Sequence, residues 1–275
     1  MADPRPVLVF DSGLGGLSVL RAIQALLPER RTVYLADDAG FPYGEQTDGD
    51  LVERVTALID EGLETHDPAA VVIACNTAST LVLPPLRARF AVPFIGTVPA
   101  IKPAAAETRT GIVAVLATPG TVKRDYTGEL IAQFAGRCHV RLVGAPGLAA
   151  LAERHLAGEV VDMAVLAEQI SPCFVTMDGR RTDIVVLACT HYPLLTDQMK
   201  TAAPWPVTWL DPAPAIARQL ARVLGAEPMG PNAAGQDCPR PENAAVFTGD
   251  RPVSPAIVQL LQAFNLQAET FAPAV

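Results

Sequence analysis

The 275-residue chain is half hydrophobic and carries 29 acidic against 21 basic side chains, a net charge of −8. That length buries one large core or two modest ones, and the acidic balance argues against nucleic acid or an anionic membrane as a partner. No apolar run approaches the ~20 residues of a membrane span, and the apolar run at 7–10 is too short for a secretion signal, so a soluble cytoplasmic protein is expected, its five cysteines reduced rather than paired.

In chain order, Val-Leu-Val-Phe at 7–10 reads as a buried strand, followed by the turn Asp-Ser-Gly-Leu-Gly-Gly and a helix over about 17–27. Residues 33–36 repeat the theme and end in Asp37-Asp38, and 51–64 have helical spacing. Residues 71–74 form a third strand and 93–95 a fourth short extended piece. A further strand at 111–116 leads through Thr118-Pro119-Gly120-Thr121 into a helix reaching about 134. Strands at 140–143, 184–188 and 208–210 follow, with helices over roughly 147–157 and 161–170. Residues 97–103 read as a crossover, and 225–245, rich in Ala, Pro, Gly and Asn, as a surface loop in which Cys238 has no assigned role. Strands alternating with helices imply an α/β fold built on parallel sheet covered on both faces.

A faint internal repeat refines this. "VLVFDSG" (7–13) parallels "VAVLATPG" (113–120), which sets Asp11 opposite Thr118. "VVIACNT" (71–77) parallels "VVLACTH" (185–191), which sets Cys75 opposite Cys189. Apolar strands resemble one another by chance, but the shared Ala-Cys-polar ending is harder to explain that way. The expectation is two pseudo-symmetric lobes, each a mostly parallel sheet flanked by helices, with the active site between them. Residues 1–98 with 210–275 would form the lobe carrying Cys75, and 99–209 the lobe carrying Cys189.

Ligands of parallel α/β sheets bind at the carboxyl ends of the strands, where helix amino termini favour carboxylates and thiolates. Asp11, Ser12, Cys75, Asn76, Thr77, Thr118, Cys189, Thr190 and His191 all fall at such ends. A disulfide is disfavoured in the cytosol. Cys75, Cys189 and His191 lack the short paired spacing of a structural zinc site, so no metal is expected. A single-nucleophile hydrolase would leave one thiol idle. Two-base proton transfer uses both, one ionised and one protonated, which predicts coupled titration and a bell-shaped pH profile. Only Lys102, Lys123 and Lys200 are present, none in an obvious pyridoxal setting, so no cofactor is expected.

"FDSGLGGLSVL", "ADDAGFPYGEQ", "ACNTAS" and "LACTHYPLL", in this order, resemble glutamate racemase over essentially the whole chain; "PAIKPA", "LATPGTVKRDY" and "FTGD" extend the match. The resemblance implies a cofactor-independent enzyme that inverts glutamate at its α-carbon and supplies D-glutamate for peptidoglycan. It implies that Cys75 takes the α-proton from D-glutamate and Cys189 from L-glutamate. Asp11 would support Cys75, and His191 with Glu153 would support Cys189; Glu153 rests on the looser match "APGLAALAE". Asp11, Ser12, Tyr43, Gly44, Asn76, Thr77, Thr118, Thr190 and His191 would bind substrate. The family pattern often reads Gly-Asp-Thr-Ala-Arg before its Pro-Tyr-Gly; here Ala36-Asp37-Asp38-Ala39-Gly40 stands instead, so an arginine role is expected to be absent and Asp37 has no settled function. Members form different dimers, so a homodimer is one option.

Other readings compete. Asp11 could simply cap its turn, Tyr43 could pack as a turn aromatic, and Glu153 could be a solvated helix charge. "DSGLGGLS" ends in Ser18 where a dinucleotide fingerprint needs glycine. Cys138 and Cys173 read as structural, and His66, His139 and His155 as surface residues. A racemase for aspartate or another acidic amino acid, or a binding protein that clamps such a ligand without turnover, are the alternatives in function.

Overall fold

The computed structural model describes residues 3–226, 242–249 and 254–270. Cys238, Asp250 and most of the expected 225–245 loop lie outside these residues. The chain divides into two compact units, 1–97 with 213–275, and 98–212.

The first unit is built on six parallel strands: β1 Val7–Asp11, β2 Thr32–Ala36, β3 Ala70–Ile73, β4 Phe94–Gly96, and, from the second visit of the chain, β11 Asn243–Phe247 and β12 Leu266–Thr270. Their order is β12-β11-β2-β1-β3-β4. β1 to β3 are buried along their whole length. Buried on both faces, they read as unbroken apolar runs rather than alternating ones. Helices α1 Leu17–Leu26, α2 Asp48–His66, α3 Asn76–Arg89, α10 Ala213–Val223 and α11 Pro255–Ala263 belong to this unit. α2 begins at Thr47, whose hydroxyl accepts the Asp50 N–H, and Asp48 and Asp50 in the first turn suit the positive helix end. Its buried stripe Leu51, Val55, Ile59 packs into one cluster with Leu8, Phe10, Leu35, Val71 and Ile73.

The second unit carries β5 Ile112–Ala117, β6 His139–Gly144, β9 Ile184–Ala188 and β10 Thr208–Leu210 in a parallel sheet of order β10-β9-β5-β6. A small antiparallel pair, β7 Thr176–Met177 and β8 Arg180–Arg181, stands apart from it. The helices are α4 Ile101–Glu107, α5 Pro119–Val122, α6 Asp125–Phe134, α7 Leu148–Leu156, α8 Met163–Ile170 and α9 Thr196–Ala202. Val113, Val115, Ile184 and Val186 pack with Ile101 and Ala104 of α4 in the core of this unit.

Two expectations need correction. The helix expected between Thr118 and 134 is two pieces, α5 and α6, because the chain leaves α5 at Lys123 and turns extended at Arg124. Residues 243–245, expected in a loop, lie in β11 and pair with both β2 and β12. Their Asn-Ala-Ala content hides a strand that tertiary pairing enforces.

Candidate active site

In the first unit β1 and β3 are neighbours, with Phe10 paired to Ile73. Asp11 ends β1, and Cys75 stands two residues past the end of β3, so both lie at the carboxyl edge of the sheet. Cys75 is the residue before α3, with extended backbone. The first N–H groups of a helix have no partners within it, and they carry its positive end. No acidic residue in the first turn of α3 offsets that charge. Asp11, Ser12, Cys75, Asn76, Thr77 and Tyr43 are all buried, and Gly44 is half-buried. Cys75 Sγ lies 3.7 Å from Ser12 Oγ. Asp11 Oδ2 accepts the Gly13 N–H at 3.1 Å, the turn-capping role open to it by pattern. Neither the oxygen nor the nitrogen of the buried Asn76 amide has a partner among the described residues. An unmet buried polar group costs about 1–3 kcal/mol, so this amide is suited to a polar ligand.

The second unit repeats the arrangement with different chemistry. β5 and β9 are neighbours, with Ala117 paired to Ala188, so Thr118 and Cys189 directly follow adjacent strand ends. Cys189 is not followed at once by an α-helix; a turn and a 3-10 segment, Tyr192–Leu195, precede α9. A histidine stands there instead. His191 Nδ1 lies 3.8 Å from Cys189 Sγ, and His191 Nε2 lies 2.7 Å from Glu153 Oε1 on α7. Burial pushes His191 down, but hydrogen bonding to Cys189 and Glu153, together with their charges, holds it well above its usual range. A ring whose Nε2 proton points at a carboxylate leaves Nδ1 to take or return the thiol proton. Thr190 is buried beside this relay. Thr118 caps α5, its hydroxyl accepting the Thr121 N–H.

The sequence left Asp37 without a settled function and did not single out Arg54, Thr248 or Tyr192. Asp37 is fully buried, and an arginine does serve it: Arg54 Nε and Nη2 on α2 donate to Asp37 Oδ2 and Oδ1 at 2.6 and 2.5 Å. The position expected to carry arginine is Gly40, where a side chain would collide with Asp37 Oδ2 and Arg54 Nε. The Tyr43 hydroxyl donates to Asp37 Oδ2 at 2.5 Å and Thr248 Oγ1 to Oδ1 at 2.6 Å. Arg54 is the sole basic residue of its helix before His66 and flanks the apolar stripe, the signal that could have marked it. Tyr192 is fully buried, its hydroxyl donating to Ala145 O. Of the other cysteines, Cys173 is fully buried, and burial pushes its thiol up to about 12, as befits a structural residue. No cluster of three or more His, Cys, Asp or Glu side chains among the described residues is placed to hold a metal.

A family model of Asp/Glu/hydantoin racemases matches residues 14–220. The chain belongs to the Asp/Glu/hydantoin racemase family. Within that family it is 56% identical to a glutamate racemase of Brucella canis over 268 residues, covering 97% of this chain and 95% of the relative. Among solved structures, Escherichia coli glutamate racemase in complex with L-glutamate and the activator UDP-MurNAc-Ala superposes with a TM-score of 0.87 at 41% identity, over 99% of this chain and 100% of that one. Glutamate racemase of Thermus thermophilus in complex with β-chloro-D-alanine gives 0.74 at 28% identity, over 98% and 97% of the two chains. No helix among the described residues is long and apolar enough to cross a membrane.

Proposed function

We propose that this chain interconverts L- and D-glutamate without an organic cofactor, by two-base proton transfer at the α-carbon. One cysteine withdraws the proton as a thiolate, and the other returns a proton to the opposite face as a thiol. Cys75 acts on D-glutamate and Cys189 on L-glutamate. The observation that carries the reading is the matched pair of strand ends: each sheet holds a buried, unbridged cysteine beside the neighbouring strand that carries Asp11 or Thr118.

The two thiols are supported differently. Cys75 has the amino terminus of α3 and the Ser12 hydroxyl, and the positive helix end favours its thiolate. Cys189 has His191 and Glu153, which can take its proton and hold the resulting charge. In this reading Asp11 supports Cys75. The α-proton of an amino acid is weakly acidic, so the developing carbanion needs preorganised donors at the carboxylate. The unpaired Asn76 amide, Thr77, Thr190 and backbone N–H groups are such donors, and Ser12, Tyr43, Gly44 and Thr118 complete the substrate contacts. D-glutamate made this way serves peptidoglycan synthesis. Working thiols must stay reduced, which supports a cytoplasmic enzyme.

The test is incubation of each glutamate enantiomer with the protein in metal-free, cofactor-free buffer, followed by circular dichroism. Loss of optical activity from both sides is expected. Folded protein that leaves both enantiomers unchanged, or that turns over aspartate faster than glutamate, would overturn the assignment.

A further inference from the structure

Asp37 is a fully buried carboxylate whose two oxygens are both doubly occupied. Oδ1 accepts from Arg54 Nη2 at 2.5 Å and from Thr248 Oγ1 at 2.6 Å. Oδ2 accepts from Arg54 Nε at 2.6 Å and from the Tyr43 hydroxyl at 2.5 Å. These partners come from three places: α2, the 3-10 segment Tyr43–Glu45, and the residue after β11. Thr248 is itself fixed, since its hydroxyl also accepts the Ala39 N–H and its own N–H donates to Ala36 O. One step along, Asp38 Oδ1 accepts the Gly249 N–H. The loop between β2 and α2 is thus pinned to the end of β11, and Gly40 leaves the space that the guanidinium fills.

Tyr43 links this brace to the reacting group. It shares one buried cluster with Cys75 and Phe10. Burial, the charge of Asp37 and the hydrogen bond to it, with a lesser push from Cys75, keep the phenol protonated. We infer that Arg54 and Thr248 are positioning residues of the racemase: by fixing both oxygens of Asp37 they hold the Tyr43 hydroxyl in one orientation beside Cys75, its proton committed to Asp37 and its oxygen left only as an acceptor. A bidentate guanidinium is suited to this because it fixes the plane of the carboxylate as well as its charge. The inference rests on the proposed role of Tyr43 and Cys75 in glutamate turnover.

The charged and titratable groups around Asp37 are Arg54 on α2, Tyr43 and Asp38 in the loop, Asp11 on the neighbouring strand, and Cys75 beyond Tyr43. Burial pushes the Asp37 carboxyl up, but the hydrogen bonds from Arg54, Thr248 and Tyr43 and the Arg54 charge outweigh it and hold it below its usual range. With Arg54 removed, burial prevails and the carboxyl rises toward working pH. A protonated Asp37 no longer commits the Tyr43 proton.

The experiment is a pH profile of kcat/KM for L-glutamate with wild type, Arg54→Gln, Arg54→Lys, Thr248→Val and Tyr43→Phe, each first shown folded by its thermal transition. Arg54→Gln is expected to lower kcat/KM about tenfold or more and to move the acid limb up by about one pH unit. Arg54→Lys should keep the acid limb near its wild-type position. Thr248→Val should move the limb the same way by less. Tyr43→Phe in the Arg54→Gln background should cost much less than in wild type, because both act through one contact. An acid limb unmoved in both Arg54→Gln and Thr248→Val, or additive losses in the double variant, would overturn the inference. Should Arg54→Gln not fold, Thr248→Val decides alone. A wild-type protein without racemase activity would instead overturn the parent reading.

Discussion

Cys189 and His191 can share one proton in two ways, as thiol with imidazole or as thiolate with imidazolium, and Glu153 biases the choice. The Glu153 carboxylate 2.7 Å from Nε2 favours the charged ring. A raised histidine pKa adds stability that is fully present below the ordinary value of 6.5 and is lost as pH rises through the folded value. Glu153→Gln removes that support. The difference in unfolding free energy between wild type and Glu153→Gln is therefore expected to be widest near about pH 6 and to shrink as pH rises. Chemical denaturation across the pH range checks this; a gap that widens with pH contradicts it. At Asn76, truncation to alanine removes a buried amide with no described partner. Its thermal midpoint should hold or rise while KM for glutamate increases about tenfold, the scale of one lost hydrogen bond to a charged group. A large loss of stability with unchanged KM would assign Asn76 to the fold. The two cysteines were legible because each closes an apolar run with Ala-Cys-polar. Arg54 was not, because its link to Asp37 spans 17 residues and appears only when α2 packs on the sheet.

At the level of elements, the carboxyl edge of each sheet organises the candidate residues it carries. α3 places its positive end at Cys75, whereas the chain after Cys189 turns through a 3-10 segment and relies on His191 for charge. "ACNTAS" and "LACTHYP" look alike up to the cysteine and part after it, where Asn76-Thr77-Ala78-Ser79 opens a helix and Thr190-His191-Tyr192-Pro193 a turn. α3 itself contains Pro84 and Pro85, which deprive Thr80 and Leu81 of intrahelical donors and blur its periodicity. α2 is the best test of how packing supports the site, because it holds both the core stripe and Arg54. Leu51 is fully buried on that stripe. Leu51→Ala should cost about 2–5 kcal/mol in denaturant unfolding. Thr47→Ala, which removes only the cap, should cost about 1 kcal/mol. Equal losses for the two would mean that α2 is held by its end rather than by its face.

For the whole molecule, the internal repeat has a structural counterpart. β1 beside β3 and β5 beside β9 are equivalent strand pairs in two parallel sheets, and each pair brings a polar residue and a cysteine to its carboxyl edge. The sequence made the α/β class and these pairs readable, because fully buried strands are unbroken apolar runs. It did not make β11 readable: Asn-Ala-Ala has weak strand preference, and β2 and β12 supply the pairing. The central claim is that both thiols serve one reaction. Cys75→Ser and Cys189→Ser should each abolish racemisation, while one-sided α-proton exchange can survive in each. The direct measurement is racemisation of protiated L-glutamate in deuterium oxide, with isotope content read by mass spectrometry in both enantiomers early in the reaction. Two bases predict D-glutamate carrying deuterium at the α-carbon while the remaining L-glutamate keeps its protium. D-glutamate that retains the original protium would mean that one base moves the same proton across, and would contradict the two-cysteine account.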